Sequence, residues 1–415
     1  MKKLTLLFVL AFILLACDKD DGITPVCNTV TNVSSISVTS NSAIITWNEF
    51  DASATYNLEF GVSGFTLGNG TTVSESGSSA QLNGLQPNTV YDVYIQTECS
   101  SNNLSAYTDV HSFTTSSPPV IPEFRNNLSE LNLFSSNLNE LNITSLAFEY
   151  NLNTTLFSDY ASKQRIIALP EGASMTYDGD GLPVFPNNTV IAKTFYYNVN
   201  DRDLDLGKQI IETRVLIKLN GNWESGNYTW NDSQTDAILD LDGSVLPVSW
   251  IDNDGVTQSV NYKIPSNNDC FTCHQSFDEL KPIGPKLRNM NFDINGSNQL
   301  QQFINNNQLS GIANPSSIGA LPNWEDDTFS LEERARAYLA VNCASCHIPG
   351  GQCENESTLD FAYETLLENS DIVERKESIR FRVSDYNDGI SMPFIGTSIL
   401  HTEGVQLIND YLDTL

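Results

Sequence analysis

Two short peptides hold the residue types best suited to chemistry: Cys270–Phe271–Thr272–Cys273–His274 and Cys343–Ala344–Ser345–Cys346–His347. Each is a C-x-x-C-H unit, the spacing of a c-type haem attachment site. In such a unit the two thiols bond to the vinyl groups of one porphyrin as thioethers, and the adjacent imidazole faces the iron. A lone C-x-x-C reads as a redox dithiol or as half a zinc site. Two units, each followed directly by His in a chain with only four His, predict two covalently attached haem c groups, with His274 and His347 as metal ligands. A competing reading gathers Cys270, Cys273, Cys343 and Cys346 around one structural zinc ion, but it leaves both histidines unexplained.

Far-side iron ligands are sought among the methionines. Met392 lies in Ser391–Met392–Pro393–Phe394–Ile395–Gly396, a Pro/Gly-held loop well placed to close the second haem. For the first haem the candidates are Met290, Met175 and His401, with an open iron as the remaining option. His/Met ligation fills the iron and raises its potential relative to His/His, which suits outer-sphere electron transfer. The run Lys281–Pro282–Ile283–Gly284–Pro285–Lys286–Leu287 resembles the loop of class I cytochromes c. That resemblance implies that the Pro285 carbonyl takes the ring N–H of His274 and fixes its tautomer.

The elements that must position these groups follow from the rest of the chain. Its 415 residues suffice for two or three domains. A net charge of -30 argues against nucleic-acid or anionic-lipid binding, since both need a positive surface. Residues 1–17 read as a targeting segment: Lys2 and Lys3, a short apolar run, then Leu14–Leu15–Ala16–Cys17. The last four resemble a bacterial lipoprotein signal, which implies a lipidated Cys17, a tether over 18–26 and a place in the cell envelope, the outer membrane above all. An ordinary secretory signal is the alternative, and either reading puts the mature chain in an oxidising compartment. Cys27 and Cys99 are then the expected disulfide, and Cys353 has no evident partner.

Residues 27–117 alternate in short strands, as in Ala43–Trp47, Thr55–Phe60 and Val90–Thr97, and predict a β-sandwich. With Trp47, the Leu85–Gln86–Pro87–Asn88–Thr89–Val90–Tyr91 corner and Ser112–Phe113–Thr114–Thr115, this segment resembles a fibronectin type III domain. A linker and lead-in segment covers 118–149, beginning at Ser117–Pro118–Pro119. Residues 150–265 predict a β-rich domain. Its strands carry Lys163, Arg165, Lys193, Glu212 and Arg214, either as solvated strand faces or as an ion-pair network against a haem propionate. The first haem segment is 266–330 and the second 331–415, the latter mainly α and cytochrome c class I-like, with helices before the second motif and at the chain's end. The fold class is therefore multidomain: sandwich, central β-rich domain and C-terminal helical region with two haem motifs.

Several short matches run in order from about 150 to 415: Leu156–Lys163, Lys193–Thr194–Phe195, Ile211–Glu212–Thr213–Arg214, Pro282–Lys286 and Ala335–Cys343. On these the region resembles a family of exported bacterial dihaem c-type cytochromes. The resemblance implies two covalent haems and redox work outside the cytoplasm. The expected function is electron transfer by a membrane-anchored protein, served by a redox partner such as a quinol-linked complex or a secreted dehydrogenase. The alternatives are a dihaem peroxidase-like enzyme with one open iron and a zinc-bearing structural or adhesion lipoprotein.

Overall fold

A computed structural model describes residues 26–49, 51–135, 137–387 and 389–415. The expected signal with Cys17, and all of the tether but Val26, fall outside the described residues. The chain divides at Ser116 into two units.

In the first unit, strands β1 (Thr31–Ile36), β2 (Ser42–Asn48) and β5 (Ser79–Asn83) form one sheet. The other holds β3 (Thr55–Val62), β4 (Thr71–Glu75), β6 (Val90–Ser100), β7 (Asn103–Tyr107) and β8 (His111–Thr114), in the order β4-β3-β6-β7 with β8 also on β6. Alternation decides which side chains go inside: Ala43, Ile45 and Trp47 of β2 meet Tyr56 and Leu58 of β3 and Ile95 of β6 in one core. The Tyr91 hydroxyl accepts the Gln86 N–H at 3.0 Å, closing the corner. Cys27 and Cys99 are disulfide-bonded, with their Cα atoms 5.8 Å apart.

The second unit runs from Ser117 to the end, so the four stretches distinguished above between 118 and 415 fold as one body. Its frame is a six-stranded antiparallel sheet. The strands are β9 (Ala147–Glu149), β10 (Ser162–Ala168), β12 (Val190–Asn198), β13 (Lys208–Leu219), β14 (Asn222–Trp230) and β15 (Ala237–Leu239), with order β15-β14-β13-β12-β10-β9. The small β11 (Met175–Thr176) pairs in parallel with Leu309–Ser310. The hairpin of β16 (Ser244–Ile251) and β17 (Thr257–Ile264) is separate. One sheet face is covered by the lead-in leucines Leu128, Leu131, Leu133 and Leu141, packed on Ile166, Ala192, Val215 and Ile217.

The opposite face meets two apolar groups. Ile167 and Ile191 pack with Met175, Leu287, Met290 and Leu300, while Phe195 and Tyr197 pack with Val248, Trp250 and Tyr262. The helices of this unit are α1 (Asn267–His274), α2 (Leu287–Met290), α3 (Gln299–Asn305), α4 (Leu331–Asn342), α5 (Ile372–Ser384) and α6 (Thr402–Asp413). Tyr338 and Leu339 of α4, Ile379 and Val383 of α5, and Leu407, Ile408 and Tyr411 of α6 form the C-terminal core. The C-terminal region is thus helical as expected.

Candidate functional site

The first motif rides on α1. Ser266 caps this helix: its Oγ accepts the Asp269 N–H at 3.2 Å, and the Asp269 carboxylate accepts the Ser266 N–H at 3.0 Å, a reciprocal pairing that satisfies two orphan donors. Ser225 Oγ of β14 donates to Asn267 Oδ1 at 2.8 Å, fastening the helix start to the sheet. A spacing of three then sets Cys270 and Cys273 on one side of the helix.

His274 is the last helical residue, and its Nδ1 lies 2.7 Å from the Lys281 carbonyl oxygen. A hydrogen bond to a carbonyl requires the proton on Nδ1 and leaves Nε2 with its lone pair. Burial, reinforced by the positive charge of Lys193, pushes His274 down to about 4. The carbonyl expected here was that of Pro285. A two-stranded turn, Gln275–Ser276 against Glu279–Leu280, instead returns the chain beneath the ring at Lys281, and Pro285 is buried further along.

The second motif follows α4, which Ser330 and Glu333 cap by the same reciprocal bonds. Beyond its end the backbone tightens: the Cys346 and His347 N–H groups both donate to the Cys343 carbonyl, at 3.2 and 3.1 Å. Cys343 and Met392 line one small cavity of about 20 Å³ with Tyr338 and His401, so the structure does bring Met392 to the second motif. Burial pushes the Cys343 thiol up to about 12. The His347 ring stands edge-on to Phe361 at 5.5 Å. Its Nδ1 is buried without a hydrogen-bond partner among the described residues.

The other proposed ligands are placed differently. Met290 is fully buried with Met175, Leu300 and Phe303, because α2 turns directly into the core over the sheet. His401 stacks on Phe157 at 4.2 Å, its Nδ1 lies 2.8 Å from the Tyr338 hydroxyl, and its Nε2 is 3.6 Å from Glu403. Both of its nitrogens thus face protein groups.

The two motifs act on each other through Cys273 and Cys346: Cys273 lowers the Cys346 thiol below its ordinary range, and Cys346 raises that of Cys273. A neighbouring S–H donor stabilises a thiolate, and Ser345 adds to the effect. Cys270 is raised by burial, opposed by the positive charge of Arg214. Cys353 is a free, half-buried thiol whose N–H donates to the Cys346 carbonyl at 3.1 Å.

This geometry corrects the metal-bearing reading. Among the described residues no group of three or more His, Cys, Asp or Glu side chains is gathered to hold a metal ion. The sulfurs meet as a pair across the two motifs, while His274 and His347 face separate surroundings, the Lys281 carbonyl and Phe361. The expectations of two haem c groups, of haem electron transfer or peroxidase-like turnover, and of a four-cysteine zinc site are accordingly set aside. The resemblance to dihaem c-type cytochromes and the cytochrome c-like description of the C-terminal fold fall with them.

One feature under α1 was not resolved in the sequence. Antiparallel register sets Arg165 of β10 opposite Lys193 of β12, and Lys193 opposite Arg214 of β13. Lys163, Phe195 and Glu212 form the adjacent row on the same face. Arg214 pairs with the fully buried Glu212 at 2.5 Å, and the Tyr262 hydroxyl donates to the same Glu212 oxygen at 2.6 Å. Lys193 and Arg214 stand over the Phe195 ring at 5.2 and 4.4 Å. These are not solvated strand faces: Arg165 is buried and the other cations are half-buried. Burial pushes Lys193 down to about 7.

No protein-family model and no curated protein matches the chain. No helix among the described residues is long and apolar enough to cross a membrane. Solved structures match about a fifth of it. One is titled a myokine structure, at 20% identity over 21% of this chain and 97% of that one, with a TM-score of 0.19. Another is the chicken CNTN1 FN1–FN3 domains, at 20% identity over 21% of this chain and 31% of that one, with a TM-score of 0.20. A third is the rat CD45 extracellular region, domains d3–d4, at 18% identity over 21% and 49%, with a TM-score of 0.19. Each is a partial likeness, and none assigns this chain to a family.

Proposed function

We propose that the second unit is a thiol–disulfide exchange module whose working pair is Cys273 and Cys346. What supports this reading is that Cys273 and Cys346, carried by separate segments, shift each other's thiols, with the negative charge favoured on Cys346. The thiolate is the attacking form of cysteine. Cys346 would attack one sulfur of a partner's disulfide, forming a mixed disulfide and releasing the first partner thiolate. Cys273 would then lose its proton and attack Cys346 Sγ, releasing the second. Two cysteine thiols become one disulfide, and the partner's disulfide becomes two thiols, so two electrons pass to the partner. Cys270, His274, Cys343, His347 and Met392 are proposed as the surroundings of that pair rather than as its reacting atoms. Pro285 is buried, and Met290 packs in the core with Met175 and Leu300.

Location and partners belong to the same proposal. The Leu14–Leu15–Ala16–Cys17 run supports a lipid anchor at Cys17 in a bacterial cell envelope, and the Cys27–Cys99 disulfide is consistent with an oxidising compartment. The membrane through that anchor and a redox protein that accepts or supplies the electron pair are the partners proposed.

The test is differential alkylation of protein purified from its native host, after equilibration in glutathione buffers of graded potential. The expected outcome is a Cys273–Cys346 disulfide that forms and disappears reversibly, read by peptide mass spectrometry. Sulfurs that stay blocked by a covalent adduct at every potential, or two thiols that never join, would overturn the reading.

A further inference from the structure

We propose that the basic band across β10, β12 and β13 is a binding site for a small organic dicarboxylate. The inference is independent of the thiol reading, since it rests on the sheet and not on the sulfurs. Lys163, Arg165, Lys193 and Arg214 share one face of three neighbouring strands. Of the four, only Arg214 has a carboxylate within ion-pair distance among the described residues, that of Glu212. Lys163 is met by neutral groups, the carbonyls of Leu156 at 2.9 Å and Ala161 at 3.2 Å. Like charges directly opposite one another across a strand pair are unfavourable, and charge withdrawn from water needs compensation. A chain with a net charge of -30 has acidic residues in excess, yet among the described residues just one is in ion-pair contact with this band.

Geometry indicates what would compensate. Neighbouring strands lie about 4.8 Å apart, so Arg165 and Arg214 stand two spacings from one another with Lys193 between them. Long side chains on such a row can engage two anionic groups at once, and the planar guanidinium fork suits a carboxylate. The Arg214 side chain is 19% exposed, while its Nε is buried without a hydrogen-bond partner among the described residues. Apolar clusters lie on either side of the band, one around Ile167 and Ile191 and the other around Val248 and Trp250. The ligand must therefore offer carbon as well as charge, which favours an organic diacid over an inorganic anion.

The experiment measures the thermal midpoint of the full mature chain with millimolar succinate, at constant ionic strength. Acetate, pyrophosphate and sodium chloride are the comparisons. Succinate is expected to raise the midpoint by several degrees and to act at a concentration at least tenfold below acetate. Lys193→Met should abolish that shift, whereas Arg375→Met, on an exposed position of α5, should keep it. If Lys193→Met fails to fold by circular dichroism, Arg165→Gln takes its place with the same expectation. A shift no larger than that of sodium chloride, or one that survives the band variants, overturns the site. Pyrophosphate acting as strongly as succinate overturns the carboxylate assignment.

Discussion

Tyr262 donates its hydroxyl to the Glu212 carboxylate at 2.6 Å, linking the β16–β17 hairpin to the basic band of the main sheet. Glu212 is fully buried and is the acid within ion-pair distance of Arg214. A fully buried carboxylate persists as an ion when a cation and hydrogen bonds compensate the loss of water. Here the cation, Arg214, sits two residues along the same strand, whereas the hydrogen bond comes from the hairpin, so the Tyr262 contact also records that hairpin and sheet are assembled.

Glu212→Gln keeps the shape and removes the charge. It leaves the basic band without its carboxylate partner and offers Tyr262 a neutral amide oxygen in place of a charged acceptor. Breaking a buried pair from one side typically costs about 3–5 kcal/mol. Urea unfolding of the variant is expected to show a loss of that size, and a change within about 0.5 kcal/mol, the range of ordinary surface substitutions, would contradict the assignment.

Strand alternation made the sandwich legible, down to runs such as Val90–Thr97, the 150–265 stretch read as β-rich, and the helix expected before the second motif is α4. The fate of Lys193 was not legible. A cation at every second position of a strand reads the same whether that face meets water or protein, and what covers it comes from α1 and β17, far away in the chain. Nor could spacing reveal that Cys273 meets Cys346. The pattern within each motif is local, whereas the contact between them depends on how α1 and the turn after α4 pack in three dimensions. Met290 follows a similar rule, because a methionine near a motif is as easily core filler, and α2 carries it inward.

Acid should weaken the fold through His401. Burial between Phe157, Trp324 and Tyr338 pushes its folded pKa down to about 4, below the value of about 6.5 in an unfolded chain. Between those values the unfolded chain binds the extra proton, so the contribution is complete above pH 6.5 and shrinks as the pH falls toward 4. It is on the order of 2–3 kcal/mol. His274, likewise pushed down to about 4, adds a loss of the same sign. Comparing unfolding free energies at pH 7 and 4.5 for the parent and for His401→Gln measures the first part. The variant should lose less on acidification than the parent does.

Thiol reactivity should separate the two cysteines of the second motif. Cys346 is lowered by the adjacent Cys273 and Ser345, whereas burial pushes Cys343 up to about 12. In reduced protein, iodoacetamide should label Cys346 first at neutral pH, with a rate that rises at lower pH than for an ordinary free thiol, near 8.5. Cys273→Ala removes the S–H donor, and the rise should move to higher pH. A profile for Cys346 unchanged by that substitution would mean the two sulfurs do not interact.

Gly404 on α6 is where the last helix approaches α4. A Cβ built there would come within 2.3 Å of the Tyr338 hydroxyl oxygen, and that hydroxyl is also the group facing His401 Nδ1 at 2.8 Å. Gly404→Ala should raise helix propensity by roughly 1 kcal/mol, yet the clash has to be relieved by moving Tyr338, and overpacking of this kind costs about 1–3 kcal/mol. The two effects oppose each other, so the net stability change should be small to moderately unfavourable. The clearer signal is local. Displacing Tyr338 breaks its contact with His401 and should move the histidine's titration, followed by NMR, toward the ordinary imidazole range. An alanine variant whose His401 titrates as in the parent would show that α6 shifts away as a body, leaving the Tyr338–His401 pair intact.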